Sequence, residues 1–252
     1  MNEQITMGQN RTGIQMSPLD ADQMQAPPSS TPAVTPGDMS AIANMRSVCI
    51  QDAELLGTVP LPTTVTGAIG AGISILTGEQ PQLLQDKLGE RLAFERTGTR
   101  LYDALITKFA TLHDGSGSMN SQDLLQIREE EARHFALLAN AIDTMGGDPT
   151  AQTPCADLAG VQAMGLMQAI TDPRTTLAQS LNAILVAELA DNAGWELLIA
   201  LAEQQGQDAM VSDFRVALQD EQRHLLLVRS WLEEMVLGAP LDRGAPVSSQ
   251  LH

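Results

Sequence analysis

A glutamate followed three residues later by a histidine, ahead of an apolar run, occurs twice in this chain of 252 residues. The first copy reads EARHFALLANAI from Glu131, and the second reads EQRHLLLVRSWL from Glu221. The copies lie 90 residues apart and hold two of the four histidines. A repeat at this distance indicates a duplicated unit of supersecondary structure, so the two halves of the chain are expected to fold alike.

Apolar residues recur at helical spacing through four long segments, which predicts four long helices. Their predicted ranges are 81–113, 120–145, 171–205 and 209–237. Asn120 or Ser121 can cap the second helix, and Thr171 or Asp172 the third. Short turns join the helices of each pair, whereas the connection between the second and third is long and has a predicted short helix at 156–170. The sequence therefore predicts an all-α four-helix bundle with a long crossover between helices 2 and 3.

The duplication extends to the first and third long helices. A shift of 93 residues aligns Glu95 with Glu188, and the same shift aligns Tyr102 with Trp195. The two halves of the chain are therefore interpreted as two copies of one helical hairpin.

In each copy the glutamate and the histidine point to the same side of the helix, because residues three apart are neighbours on its surface. Apolar residues flank both pairs, Glu131 with His134 and Glu221 with His224, so both are predicted to face the interior. The aligned glutamates of the other two helices also lie on largely apolar faces. Burying four carboxylates is costly unless cations neutralise them, and mixed carboxylate and imidazole donors suit iron or manganese. One Glu-x-x-His is common by chance, but two in register are not.

The composition limits the range of partners. Aromatic residues make up only 3% of the chain, so we expect a core of Leu, Ile, Ala and Met. The net charge is −17, which argues against nucleic acid or an anionic membrane surface as a partner. The two cysteines, Cys49 and Cys155, form no Cys-x-x-Cys pair and are compatible with a reducing cytoplasm, which is the predicted location.

The segments outside the bundle have their own signals. Residues 1–45 are rich in Pro, Ser, Thr and Gln and are predicted to form an extended or disordered arm without a secretory signal. Residues 46–80 are predicted to be a connector with a short helix at 46–56. Its uncharged part, 57–78, holds two prolines and five glycines, so we expect no membrane-spanning helix there. Residues 238–252 are predicted to be a tail.

The order of ligand-type residues resembles the dinuclear carboxylate site of ferritin-like proteins, over about 81–237. In that superfamily one Glu comes from each of two helices, and a Glu-x-x-His comes from each of the other two. The resemblance implies two metal sets, which are Glu95, Glu131 and His134, and Glu188, Glu221 and His224. It implies Glu131 and Glu221 as bridging residues. The pair of histidines resembles the pattern of rubrerythrins, bacterioferritins and diiron oxidases more than that of animal ferritins.

The resemblance also implies cofactors and partners. It implies two iron ions, with manganese or a mixed pair as alternatives, and dioxygen or hydrogen peroxide as the oxidant. Since the chain has no rubredoxin-type Cys-x-x-Cys pairs, the electrons are expected from an external donor. No haem is expected, because Ala132 and Gln222 stand where bacterioferritins carry the haem-binding Met. A homodimer is compatible with the sequence.

Further residues near the predicted site have open roles. Asp191 lies beside Glu188 and resembles an extra carboxylate of rubrerythrins that can bind the metal, but an acid on the helix face or a hydrogen-bonding role is favoured. Tyr102 is either a participant in the chemistry or a core aromatic, and Trp195 is predicted to be core packing.

The helix faces suggest roles for the charged residues around the histidines. Glu130 and Asp220 each precede a histidine by four residues. They are either partners of its second ring nitrogen or solvated acids. Arg133 and Arg223 are predicted to face outward, toward nearby acids.

Three functions remain open at this stage. The first is a dinuclear oxidoreductase acting as a ferroxidase, a peroxide reductase or a small-substrate oxidase. The second is a metal-sequestering protein with no significant turnover, and the third is a stress-related scaffold whose N-terminal arm docks elsewhere. Metal content and repeated turnover distinguish the three.

Overall fold

A computed structural model describes residues 39–60 and 81–239. Over these ranges the structure is all-helical, with six α-helices and no strand, which confirms the predicted all-α class. In chain order they are α1 (Ser40–Asp52), α2 (Pro81–Leu112), α3 (Ser121–Thr144), α4 (Pro154–Thr171), α5 (Leu177–Gln204) and α6 (Asp208–Leu237). The predictions for 1–38, 61–80 and 240–252 fall outside the described residues.

Two compact units divide the chain, Met1–Glu54 and Leu55–His252. The first contains α1, which has no buried residue and carries the exposed Cys49. This helix begins six residues before the predicted start at Arg46 and ends four residues before the predicted end. Alanines between Ser40 and Arg46 favour the earlier start, because Ala has the highest helix propensity.

Capping residues fix most of the helix starts in the second unit. The Asn120 side chain accepts a hydrogen bond from the backbone N–H of Asp123, as the sequence predicted. The predicted start of the third long helix is wrong. Thr176, rather than Thr171 or Asp172, caps α5 through a reciprocal pair of hydrogen bonds with Gln179.

The four long helices contact one another in a closed ring. Helix α2 contacts α3 and α5, and α6 contacts the same two helices. Helix α4 occupies the long connection, packs against α2 and α5, and matches the short helix predicted there. Within the described residues, no helix is long and apolar enough to cross a bilayer.

Two apolar clusters fill the space between these helices. One contains Leu105, Ile127, Ile184 and Trp231, and the other contains Leu88, Leu138, Leu198 and Phe214. On every long helix the residues of one cluster precede those of the other along the chain. The buried acidic residues and histidines of the four long helices lie between the two sets, so the fold places a polar layer in the middle of an apolar core.

Candidate metal centre

The polar layer holds every ligand-type residue that the sequence singled out. Each is at most 4% exposed, and together they are Glu95, Glu131, His134, Glu188, Asp191, Glu221 and His224. They come from all four long helices, α2, α3, α5 and α6. The duplicated hairpins therefore bring their carboxylates and imidazoles into one buried cluster.

The donor atoms of this cluster fall into overlapping groups whose atoms lie within 4.8 Å of one another. The first group, named here the Glu188–His224 position, consists of Glu131, Glu188, Glu221 and His224. The second, named the Glu95–His134 position, consists of Glu95, His134 and Glu221. A third group combines Glu95, Glu131, Asp191 and Glu221. Glu221 belongs to all three groups, which is compatible with the bridging role that the resemblance implies, and Glu95 and Glu131 belong to two groups each. Glu131 is grouped with His224 and not with His134, in contrast to the sets that the resemblance implies.

The four glutamates each keep one carboxylate oxygen free of hydrogen bonds from the described residues. These oxygens are Oε2 of Glu95, Oε2 of Glu131, Oε2 of Glu188 and Oε1 of Glu221. Buried polar atoms are almost always hydrogen-bonded, and leaving one unsatisfied costs roughly 1–3 kcal/mol. Four such oxygens in one cluster, beside two imidazoles, form a donor set that is compatible with a metal site.

The imidazole of His134 shows the same deficit. Its Nδ1 lies 2.6 Å from Oε1 of Glu221 and 3.6 Å from Oε2 of Glu95. Neither contact has the direction of a hydrogen bond, and neither ring nitrogen has a hydrogen-bond partner among the described residues. The short distance is that of a close contact between the imidazole and the Glu221 carboxylate, and it brings two ligand-type atoms to one place.

Two aromatic side chains connect the hairpins by donating to each other's glutamate. The Tyr102 hydroxyl, from α2, donates to Oε1 of Glu188 on α5. In the opposite direction, Nε1 of Trp195, on α5, donates to Oε1 of Glu95 at 2.9 Å. The prediction that Trp195 only packs in the core was therefore incomplete. Burial, with the Glu188 charge nearby, raises the pKa of Tyr102 well above its usual value, which keeps the phenol protonated.

The outer nitrogens of the histidines face the two predicted carboxylates, but the pairing crosses between helices. Nε2 of His224 lies 2.8 Å from Oε2 of Glu130, which is on α3. Nε2 of His134 lies 3.5 Å from Oδ2 of Asp220, which is on α6. Each carboxylate thus faces the histidine of the other hairpin rather than the one four residues after it. Arg223 also contacts Glu130, as expected from its outward position.

A buried ion pair at the edge of the cluster was not predicted. The Arg91 guanidinium is 3% exposed, donates to Oε1 of Glu95 at 2.9 Å, and donates to Oδ1 of Asp191. The available signal was its position four residues before Glu95, which puts both on one face of α2. The charged neighbours Lys87 and Glu90 make that stretch look like an ordinary solvated face.

The surroundings of the cluster raise the pKa values of Glu131, Glu188 and His134 and so favour their protonated forms. Burial raises the pKa of Glu131 to about 8 and raises that of Glu188 well above its usual value. Burial acts the same way on Glu221, but the contacts with His134 and His224 outweigh it and hold its pKa at about 2. Burial opposes protonation of His134, yet contacts with Glu221 and Glu95 raise its pKa to about 10.

Fully deprotonated, the cluster would carry a charge that matches two divalent ions. Four glutamates and Asp191 contribute five negative charges, Arg91 contributes one positive charge, and neutral imidazoles contribute none. Four negative charges remain, and two divalent cations would neutralise them.

Two helix-interior glycines leave room for these side chains. A Cβ atom on Gly98 would lie 1.9 Å from Oε2 of Glu131, and one on Gly194 would lie 2.3 Å from Nη1 of Arg91. Both distances are shorter than a real contact, so a side chain at either position would force the Glu131 carboxylate or the Arg91 guanidinium to move. Comparison of the chain with known protein families, curated proteins and solved structures finds no match.

Proposed function

We propose that this cluster holds two metal ions, preferably iron, and that the protein is an oxidoreductase that reacts with dioxygen or hydrogen peroxide. The observation that carries the proposal is the set of four unpartnered carboxylate oxygens, one from each long helix, beside the two imidazoles. Oxygen and nitrogen donors of this kind suit iron and manganese, so a manganese or mixed pair is the nearest variant.

The helical arrangement supports a ferritin-like assignment. One glutamate comes from each of α2 and α5, and a Glu-x-x-His pair comes from each of α3 and α6. This distribution is the one found in ferritin-like di-iron proteins, with α4 in the long crossover. We propose Glu131 and Glu221 as the residues shared between the two ions.

The bound ferrous ions would supply the electrons that reduce the oxidant, and an external donor would restore them. The chain's own residues set the conditions for this chemistry. Two apolar clusters shield the polar layer from water on both sides. Tyr102 holds its proton at Oε1 of Glu188, where it can orient that carboxylate. Asp191 is paired with Arg91, so we assign it a charge-balancing role beside the ligands.

Metal analysis combined with oxidant consumption tests the proposal. Protein loaded anaerobically with ferrous iron should hold two ions per chain, and it should consume oxygen or peroxide repeatedly when a reductant is supplied. His224→Ala should lower the iron content, because it removes a buried ligand-type nitrogen. His113→Ala is the matched control, since that histidine is only half-buried and stacks on Phe109 outside the cluster.

Three results would contradict parts of this proposal. Unchanged iron content in His224→Ala would contradict the ligand assignment. Iron that binds and is oxidised once without further turnover would favour sequestration over an oxidoreductase. A chain that binds neither iron nor manganese would favour a scaffold role.

A further inference from the structure

The two ion positions differ in their surroundings, although the sequence repeats their ligands. We propose that the Glu188–His224 position binds the first metal ion tightly and the Glu95–His134 position binds the second weakly and exchangeably. We further propose that the Arg91–Asp191 ion pair is the main cause of the difference. This inference rests on the proposed function only in that the cluster must bind two ions.

The number of converging donors is the first difference. In this structure the donor atoms of four residues converge at the Glu188–His224 position and those of three at the Glu95–His134 position. Glu131, which we propose is shared, is grouped with His224 but not with His134. Since each carboxylate adds negative charge and a further donor, the larger set holds a divalent cation more strongly.

The support of each histidine is the second difference. His224 has its outer nitrogen 2.8 Å from Glu130, a buried carboxylate that Arg223 and Gln126 also contact. The outer nitrogen of His134 is 3.5 Å from Asp220, whose side chain is 32% exposed. Partners of this kind orient a ligand histidine and raise its basicity, and their loss typically costs 10–100-fold in affinity. His134 is therefore the less firmly held ligand.

The donors to the two outer glutamates are the third difference. Glu188 accepts a hydrogen bond from the neutral phenol of Tyr102. Glu95 accepts one from Trp195 and another from the Arg91 cation at 2.9 Å, both on Oε1. Asp191 balances the charge of Arg91, but the guanidinium occupies Oε1 of Glu95 and therefore competes with a metal ion for that carboxylate. All three differences weaken the Glu95–His134 position.

The duplication suggests how to remove the cation without leaving a buried charge unpaired. A shift of 93 residues aligns Arg91 with Ile184 and Asp191 with Gly98. The variant Arg91→Ile with Asp191→Ala therefore gives α2 the residue of its copy and removes both members of the ion pair. Alanine is preferred to glycine at 191 because it avoids the helix-propensity cost. Trp195 still donates to Glu95 in this variant, so the carboxylate stays oriented.

Anaerobic titration with Mn²⁺, with the free ion measured by electron paramagnetic resonance, tests the inference. The parent protein should bind two ions whose dissociation constants differ by about tenfold or more. In the double variant the dissociation constant of the weakly bound ion should fall by about tenfold. The dissociation constant of the tightly bound ion should change little. Equal constants in the parent, or a second ion that binds more weakly in the double variant, would overturn the inference.

Single ligand variants give a test that does not depend on the double variant folding. His134→Ala should lose the weak ion and keep the tight one, and His224→Ala should lose the tight ion and keep the weak one. The reverse assignment would overturn the inference.

The outcomes also separate this inference from the proposed function. A parent protein that binds no Mn²⁺ and no iron overturns both. Two ions of unequal affinity without oxidant turnover support the inference and overturn the oxidoreductase. Oxidant turnover by a protein that binds two ions with equal affinity supports the oxidoreductase and overturns the inference.

Discussion

The hairpins α2–α3 and α5–α6 carry the same ligand-type residues at matching positions, but they do not surround them in the same way. The first hairpin has Arg91 four residues before its outer glutamate and Gly98 three residues after it. The second has Ile184 and Asp191 at those places. In the folded chain the two unmatched charged residues meet as one buried ion pair. A repeated ligand set therefore does not make a symmetric site, because two changes outside that set are enough to distinguish its halves.

A substitution at Glu221 should have the largest effect on metal binding, because both ion positions include this residue. Glu221→Gln should abolish binding of both ions, with affinity losses above the roughly 100-fold typical of removing an outer partner. Equilibrium dialysis with Mn²⁺ measures the loss. Asp213→Asn, at an exposed residue of the same helix, is the control and should bind normally. Retention of one ion at parental affinity would show that Glu221 serves a single position.

Arg91 tests the ion pair through stability rather than through metal. Arg91→Met should destabilise the metal-free protein by about 3–5 kcal/mol, because it leaves Asp191 buried without its counter-ion. Adding Asp191→Ala to Arg91→Met should recover most of that loss in the free energy of unfolding. Arg215→Met removes an exposed pair with Glu203 and should change the free energy of unfolding by less than about 1 kcal/mol. Urea denaturation of the four proteins measures these values, and equal losses in the single and double variants would contradict a pairwise dependence.

The pH dependence of metal binding tests the protonated state of the metal-free cluster. With a pKa of about 10 for His134 and about 8 for Glu131, both groups carry protons at pH 7. Metal must displace those protons, so affinity rises with pH. Each displaced proton contributes about tenfold per pH unit below the pKa of its group. Mn²⁺ titrations at pH 6 and pH 8 should differ by about 100-fold or more, and equal affinities would contradict protonation of the cluster.

Gly98 makes the first hairpin depend on the absence of a side chain. Gly98→Ala would place a Cβ atom against Oε2 of Glu131, so the carboxylate must move and metal affinity should fall by about tenfold. Gly160→Ala, which meets open space on α4, is the matched control. It should leave metal binding unchanged and stabilise the fold by about 0.4–1 kcal/mol. Parental affinity in Gly98→Ala would show that Glu131 can relocate without loss.

The sequence predicted the features that depend on local helical geometry. Glu131 and His134 share a face because they are three residues apart, and that relation holds whatever the neighbouring helices do. The aligned glutamates of α2 and α5 face the core for the same reason. The ranges of the four long helices followed from the spacing of apolar residues, apart from the start of α5, where the capping box at Thr176 determines the first turn.

The sequence could not predict features that depend on how helices align across the core. The hydrogen bond from Trp195 to Glu95 joins residues on α5 and α2, and its existence depends on their relative height. The contact of Glu130 with His224 also depends on how the helices align. Local spacing instead suggested that Glu130 contacts His134, which is four residues after it on the same helix. The sequence around Arg91 resembles a solvated helix face, and its burial depends on Asp191 of α5, which lies opposite it in the fold.

The smallest expected effects come from the two aromatic donors, and they test whether the hairpins depend on each other. Trp195→Phe keeps a ring in the core but removes the donor to Glu95, and Tyr102→Phe does the same for Glu188. Each loss leaves a ligand carboxylate less well oriented, so affinity should fall a few-fold at one position only. Trp195→Phe should weaken the Glu95–His134 position, and Tyr102→Phe the Glu188–His224 position, as resolved by Mn²⁺ titration. Each aromatic residue thus acts on the glutamate of the opposite hairpin. If each substitution instead weakened the position of its own hairpin, the two hairpins would be independent metal-binding units rather than halves of one site.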